Sequence, residues 1–248
     1  MTRIPNNNGD ERPAVIVTGS SRGLGREIAL RFARGGWNVL VNCVRSGAAA
    51  EAVADEARRT GSDAVVVQAD VADPSVRDRL IETATGRWGR LDCLVNNAAA
   101  FGPARIVSLA AAAWDEMIAV DLLAPMALAR RAAVVMRPGS SVVNVVSICG
   151  LWGCAGVSAY SGAKGALAGF TSGAAEEFAL RGICINAVAP GYLPTEMGKS
   201  APDAMESARS QHAMGILSDP QGAAEFVFRL GRMSRVSGQV FVLDGRIR

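Results

Sequence analysis

Residues 14–25 read Ala14-Val15-Ile16-Val17-Thr18-Gly19-Ser20-Ser21-Arg22-Gly23-Leu24-Gly25. Four apolar residues without a polar break predict a strand buried on both faces, and the glycines behind them predict a tight turn into a helix. Gly19, Gly23 and Gly25 let the backbone approach a pyrophosphate, whose charge then rests on unpaired N–H groups at the helix amino end. Ser21, Arg22 and Leu24 complete the turn. Its place directly after a first strand separates it from an ordinary glycine-rich loop, so a dinucleotide is the expected ligand.

Similar apolar runs recur at 37–42, 64–68, 91–95, 141–146, 183–188 and 239–243, and with 14–18 they predict seven strands. Helical periodicity fills the gaps at 24–35, 48–60, 74–88, 113–136, 158–180 and 220–231, with Asp73-Pro74-Ser75 as a start signal. Strand and helix alternating from end to end predict an α/β chain: a single-domain Rossmann fold, a doubly wound parallel sheet of about seven strands with helices on both faces. No linker or repeat divides residues 14–248. The polar segment 1–13 is expected to be a flexible lead-in, and the irregular stretch at about 190–219 a substrate loop.

Composition narrows the function. Among 248 residues, 26 basic and 23 acidic side chains leave a formal charge of +3. That is too little for the basic footprint of a nucleic-acid binder. No apolar run approaches a membrane span, and the first residues lack the apolar core of a signal peptide. Cys43, Cys93, Cys149, Cys154 and Cys184 are odd in number and contain no CxxC pair, so they read as free thiols of a cytoplasmic protein with no metal site. His212, the one histidine, lies in the irregular stretch without ligand-like neighbours and reads as a loop residue.

The second strand bears on which dinucleotide is held. NAD sites place an acidic residue near its end, to hold the ribose 2′-hydroxyl. Here no Asp or Glu occurs between Glu27 and Glu51. Arg45 and Ser46 stand there instead, and Arg22 projects from the glycine turn, a set suited to the 2′-phosphate of NADP (NADPH). Solvated surface arginines are the alternative in a chain whose basic residues include only two lysines, Lys164 and Lys199.

One of those lysines follows one of only two tyrosines. Tyr160 and Lys164 are four apart at the start of an expected helix and so share a face. A phenol ordinarily titrates near 10, and a neighbouring ammonium favours its phenolate. Ser147, closing the fifth strand, supplies a hydroxyl. Phe101, Trp152, Tyr192, Met197, Met205 and Met214 suit an apolar pocket around these groups, and ordinary packing equally well.

Taken together, these motifs resemble those of the short-chain dehydrogenase/reductase family, most closely its 3-oxoacyl-[acyl-carrier-protein] reductases, from about Ala14 to Gly245. The stretches that carry the resemblance are Thr18–Gly25, Asp70-Val71, Asn96-Asn97-Ala98-Ala99, Ser147, Tyr160 with Lys164, Pro190-Gly191 with Thr195, and Gly238-Gln239 with Asp244-Gly245. The resemblance implies an NADPH-dependent ketone reductase. In it Ser147 orients the carbonyl, Tyr160 gives the proton, and Lys164 lowers the Tyr160 pKa and holds the nicotinamide ribose. Asp70 meets the adenine beside Val71, Asn97 and Ala98 support the adenosine side, and Pro190, Gly191 and Thr195 cover the nicotinamide. It further implies a homotetramer acting on a 3-oxoacyl thioester of fatty-acid or polyketide synthesis, with the acidic carrier protein docking on Arg137 and Arg181. A free cyclic or aromatic polyketide ketone is the alternative substrate, and a weakly catalytic NADP-binding partner protein the alternative role. The chain departs from the family pattern at Ala99 (usually Gly), at Asp244-Gly245-Arg246 (usually paired glycines) and at Asp121, where an active-site Asn is usual.

Overall fold

The computed structural model describes residues 12–199 and 202–246. Apart from Arg12 and Pro13, the expected lead-in lies outside the described residues. The first half runs β1 (Ala14–Val17), α1 (Gly23–Arg34), β2 (Asn38–Cys43), α2 (Gly47–Arg59), β3 (Ala64–Gln68), α3 (Pro74–Trp88) and β4 (Cys93–Asn96). The second runs α4 (Ala111–Ile118), a π-helical turn (Ala119–Leu123), α5 (Ala124–Val135), β5 (Ser141–Val145), α6 (Ile148–Trp152), α7 (Ser158–Ala179), β6 (Cys184–Pro190), α8 (Glu196–Lys199), α9 (Pro202–Gln211), α10 (Pro220–Leu230) and β7 (Val240–Leu243).

All seven strands are parallel, in the order β3-β2-β1-β4-β5-β6-β7. Successive side chains of a strand point to opposite faces, and both faces of this sheet are covered. Val15 and Val17 pack with Ile28, Phe32 and Phe228 on one side. Ile16, between them, packs with Leu80, Leu94 and Leu128 on the other. This is why the strands read as unbroken apolar runs, each fully buried side chain contributing about 1.5–3 kcal/mol.

The strand order reverses between β1 and β4. Ligands of open α/β sheets bind at the carboxyl ends of the strands beside such a reversal, where the turn 18–25 and Asn97-Ala98 meet.

Helix ends differ in a way that matters for the site. Asp73 caps α3 by accepting from the Ser75 amide at 2.9 Å, and Asp219 caps α10 by accepting from Gln221 and Gly222. The amino ends of α1 and α2, at Arg22 and Ser46, have neither a side-chain cap nor an acidic residue in the first turn.

Three expectations are corrected. The helix expected over 113–136 is interrupted by the π turn. Pro125 has no amide to give the Asp121 carbonyl four residues back, so α-helical pairing fails there and the chain widens. The stretch expected to be irregular contains α8 and α9. Cys149 and Cys154 are joined in a disulfide, with Cα atoms 5.1 Å apart, while Cys43, Cys93 and Cys184 are free and buried. The residue count gave no sign of the bridge, because it spans only one short helix.

Candidate active site

The turn after β1 is held from behind by two buried side chains. Asn42, at the end of β2, accepts from the Gly19 amide at 3.2 Å and donates to the Val67 and Ala69 carbonyls. The Thr18 hydroxyl accepts from the amides of Asn97 and Ala98, and the Asn97 side-chain amide donates back to the carbonyls of Thr18 and Gly19. Asn97 therefore braces the glycine turn. Asn42 was not singled out in the sequence; its polarity in an otherwise apolar buried strand was the available signal.

The glycines do what their spacing predicts. Gly19 has φ +62°, and a Cβ there would come within 2.8 Å of the Ala98 Cα. At Gly25 a Cβ would press to 2.4 Å on both the Asn97 side chain and the Gly19 carbonyl. Gly23, at φ +56°, faces the Thr195 side chain, which would lie 3.6 Å from a Cβ. The segment after Pro190 and Gly191 thus crosses over the phosphate turn. Ser21 and Leu24 occupy the turn itself, with Leu24 packed into the core.

Around this cradle, Arg45 is exposed beside the uncapped start of α2, with Ser46 next to it. Arg22 is engaged differently: its guanidinium lies 2.6 Å from the Glu196 carboxylate at the start of α8, both side chains 68% exposed. Asp70 is exposed and accepts from the Ala72 amide, and Val71 is buried beneath it. A close-approach glycine turn, two uncapped helix ends and an exposed guanidinium fit the pyrophosphate and 2′-phosphate of NADP.

Ser147, Tyr160 and Lys164 converge at the carboxyl end of β5. Ser147 begins α6 and accepts from the Cys149 amide at 3.2 Å. The Lys164 ammonium, 2% exposed, donates to the Val145 carbonyl at 3.0 Å and lies 5.8 Å from the Tyr160 ring centre. Phe101 meets the Tyr160 ring edge-on at 5.2 Å. Gly150 permits this crowding: a Cβ there would sit 2.6 Å from the Gly165 nitrogen and 2.7 Å from the Lys164 carbonyl carbon.

The π turn adds Asp121. Its carboxylate is fully buried, with Oδ1 3.1 Å from Lys164 Nζ. The attraction at that distance is chiefly Coulombic. Burial raises the Asp121 pKa, against the pull of Lys164. Burial also raises that of Tyr160; Lys164 and a hydrogen bond from Ser147 oppose this, and Asp121 reinforces it. Lys164 acts in the expected direction but is outweighed, so the phenol titrates above its ordinary value.

Other expected residues lie farther out. Trp152 ends α6 under the Arg246 guanidinium, 5.8 Å away, which itself pairs with Asp244. Tyr192 donates to the Gly198 carbonyl, while Met197 and Met214 are exposed and Met205 lies half-buried on α9. His212 forms an isolated bridge to Arg246, a structural joint beyond β7. Arg137 and Arg181 are exposed and neighbours, their loops joined by the bond from the Gly139 amide to the Gly182 carbonyl. They stand at the amino ends of β5 and β6, a strand length of roughly 20 Å from Ser147.

Among the described residues no group of three or more His, Cys, Asp or Glu side chains is arranged to hold a metal ion, and no helix is long and apolar enough to cross a membrane.

Comparison with known proteins agrees with this geometry. Residues 13–206 match the short chain dehydrogenase family. A 3-oxoacyl-[acyl-carrier-protein] reductase of Synechocystis sp. is 33% identical over 233 residues, covering 93% of this chain and 94% of the relative. One of Staphylococcus aureus is 35% identical over 195 residues, 78% and 79% of the two chains. Among solved structures, a short chain dehydrogenase from Burkholderia cenocepacia in complex with NADP superposes with a TM-score of 0.92 at 30% identity, covering 96% of this chain and 99% of that one. The angucycline C-6 ketoreductase LanV with bound NADP superposes at 0.89 and 28% identity, covering 96% of each chain.

Proposed function

We propose, for a chain that belongs to the short-chain dehydrogenase/reductase family, the NADPH-dependent reduction of a ketone borne as a 3-oxoacyl thioester on acyl carrier protein. The chain is a nicotinamide-dependent oxidoreductase of the ketoreductase kind. The observation that carries the reading is the convergence of Ser147, Tyr160 and Lys164 beside a phosphate cradle.

Gly19, Ser21, Gly23, Leu24 and Gly25 would hold the pyrophosphate by backbone amides, Arg45, Ser46 and Arg22 the 2′-phosphate, Asp70 with Val71 the adenine, and Asn97 with Ala98 the adenosine side. Pro190, Gly191 and Thr195 would cover the nicotinamide, which when bound supplies the hydride. Ser147 donates a hydrogen bond to the ketone oxygen and orients it. Tyr160 passes its proton to that oxygen as negative charge develops there. Lys164 stabilises the phenolate left behind, and Asp121, 3.1 Å from its ammonium, holds Lys164 in place. A phenol held protonated by burial suits reduction, which needs the proton in place at the start.

The relatives' names favour the carrier-borne substrate. A free cyclic or aromatic polyketide ketone is the second reading, favoured by the likeness to LanV and by Phe101 standing edge-on to Tyr160. Carrier docking on Arg137 and Arg181 fits the proposed homotetramer, because these residues lie at the far strand ends from their own Ser147 and would serve another subunit. A cytoplasmic location fits such a substrate, although the Cys149–Cys154 bridge removes part of the thiol argument for it.

The test is NADPH consumption with a 3-oxoacyl group on carrier protein, its small thioester analogue, and a panel of cyclic ketones. Turnover with the carrier form, and a KM for it that rises on reversing both arginine charges while the analogue is unaffected, supports the proposal. Turnover of cyclic ketones alone favours the second reading.

A further inference from the structure

We propose that Cys149 and Cys154 form a redox modification site whose closed state orders the substrate wall between Ser147 and Tyr160. The disulfide closes a six-residue ring containing all but the first residue of α6. A five-residue helix has too few hydrogen bonds to hold its own shape. The chain leaves it through Gly153 and Gly156, both at positive φ, where the backbone is permissive. The bridge is thus one restraint on this segment, beside the Gly150–Gly165 contact, the buried Ile148, the bond from the Ala104 amide to the Gly156 carbonyl and the Arg246 guanidinium over Trp152.

The ring touches the chemistry directly. The Cys149 amide donates to the Ser147 hydroxyl, and the half-exposed Leu151 and Trp152 ride on the ring. Both bridge cysteines are partly exposed, unlike the three buried free thiols, so a small thiol can reach them.

The exchange partner is a low-molecular-weight thiol such as glutathione. Its thiolate attacks one bridge sulfur, forming a mixed disulfide and releasing the other cysteine as a thiolate, which takes up a proton. A second thiol then attacks the mixed disulfide, so that two thiols become one disulfide and the bridge becomes two cysteine thiols. Opening frees Leu151 and Trp152, which must be reordered when substrate binds. With two side chains to immobilise again, KM for the ketone rises about fivefold or more. NADPH Kd changes less than KM, because the ring lies apart from the phosphate turn and meets the cofactor set only where Gly150 packs on the Lys164 backbone.

This inference rests on the reductase reading for its kinetic arm alone. The experiment equilibrates the purified chain with glutathione buffers of graded composition, counts thiols after denaturation, and measures KM and NADPH Kd in each state. Three thiols in the oxidised protein and five in the reduced, with the lower KM in the oxidised form, is the expected result. The Cys149→Ser/Cys154→Ser variant should hold the higher KM whatever the buffer. Hydrogen exchange of residues 148–157 gives an arm independent of activity: protection in the oxidised protein, lost on reduction. Five thiols at every buffer composition overturns the proposal, as does equal KM or equal exchange in the two states. Should no ketone be turned over in either state, the reductase reading fails, while thiol count and exchange still decide the redox site.

Discussion

Arg45→Ala isolates the proposed 2′-phosphate contact from the rest of the cofactor site. Arg45 has no ion-pair partner among the described residues, so no existing interaction must break for it to meet a phosphate. A hydrogen bond to a charged group is worth about 1.5–3 kcal/mol. Because this guanidinium is exposed and screened by solvent and salt, the lower end applies, about 1.5 kcal/mol or roughly tenfold in Kd. Arg22 differs, because reaching the phosphate breaks its contact with Glu196. Such an exposed ion pair is worth up to about 1 kcal/mol, so Arg22→Ala costs correspondingly less, and Glu196→Gln tightens NADPH by at most roughly fivefold. The assay is fluorescence titration of the three variants with NADPH and NADH at fixed ionic strength. Arg45→Ala should weaken NADPH about tenfold while sparing NADH. Equal losses for both cofactors, or none for NADPH, would refute the reasoning.

Three further outcomes follow from the same geometry. Asp121→Asn removes a negative charge that helps hold the Tyr160 pKa up; since reduction needs a protonated phenol and fails as pH rises through that pKa, the basic limb of its pH–rate profile should move to lower pH. Near neutrality alcohol oxidation should gain more than ketone reduction, and an unmoved profile would mean that the carboxylate is not felt at the phenol. Gly150→Ala forces a methyl onto Lys164 and Gly165 and should cost about 1–3 kcal/mol by denaturant unfolding, with kcat falling more than NADPH affinity. Asn42→Ala removes the bonds to the Gly19 amide and to the carbonyls of Val67 and Ala69, and should lower stability by about 2–4 kcal/mol on the same measurement while weakening both nicotinamide cofactors alike.

The sheet was readable because both faces of its central strands are covered: Val15 and Val17 against one helical layer and Ile16 against the other leave no polar alternation to confuse. The glycine turn was readable for a related reason, since Gly19 and Gly25 sit where a side chain has no room. That Tyr160 and Lys164 share a helix was legible from their spacing of four and from the scarcity of both residue types. The Asp121–Lys164 pair was not, because 43 residues separate the two and the link depends on a π turn. Pro125, which starves the Asp121 carbonyl of its helical donor, was the local sign of that turn. The Arg22–Glu196 contact joins the starts of two helices far apart in the chain and follows from no local pattern. Parity of cysteines concealed the Cys149–Cys154 bridge, since parity says nothing of which pair lies close in space.

Replacement of Tyr160 by Phe tests the central claim most directly, because it removes one hydroxyl and leaves the ring that Phe101 and Lys164 face. NADPH consumption with a 3-oxoacyl thioester is measured for the unmodified chain and for Tyr160→Phe, each at a cofactor concentration set by its own NADPH Kd. The account predicts steady turnover in the first and, in the second, loss of kcat by a factor on the order of 100 or more, the usual contribution of a positioned general acid, with NADPH Kd unchanged. A variant that keeps most of its kcat would contradict the assignment of Tyr160 as the proton donor, and with it the proposed mechanism.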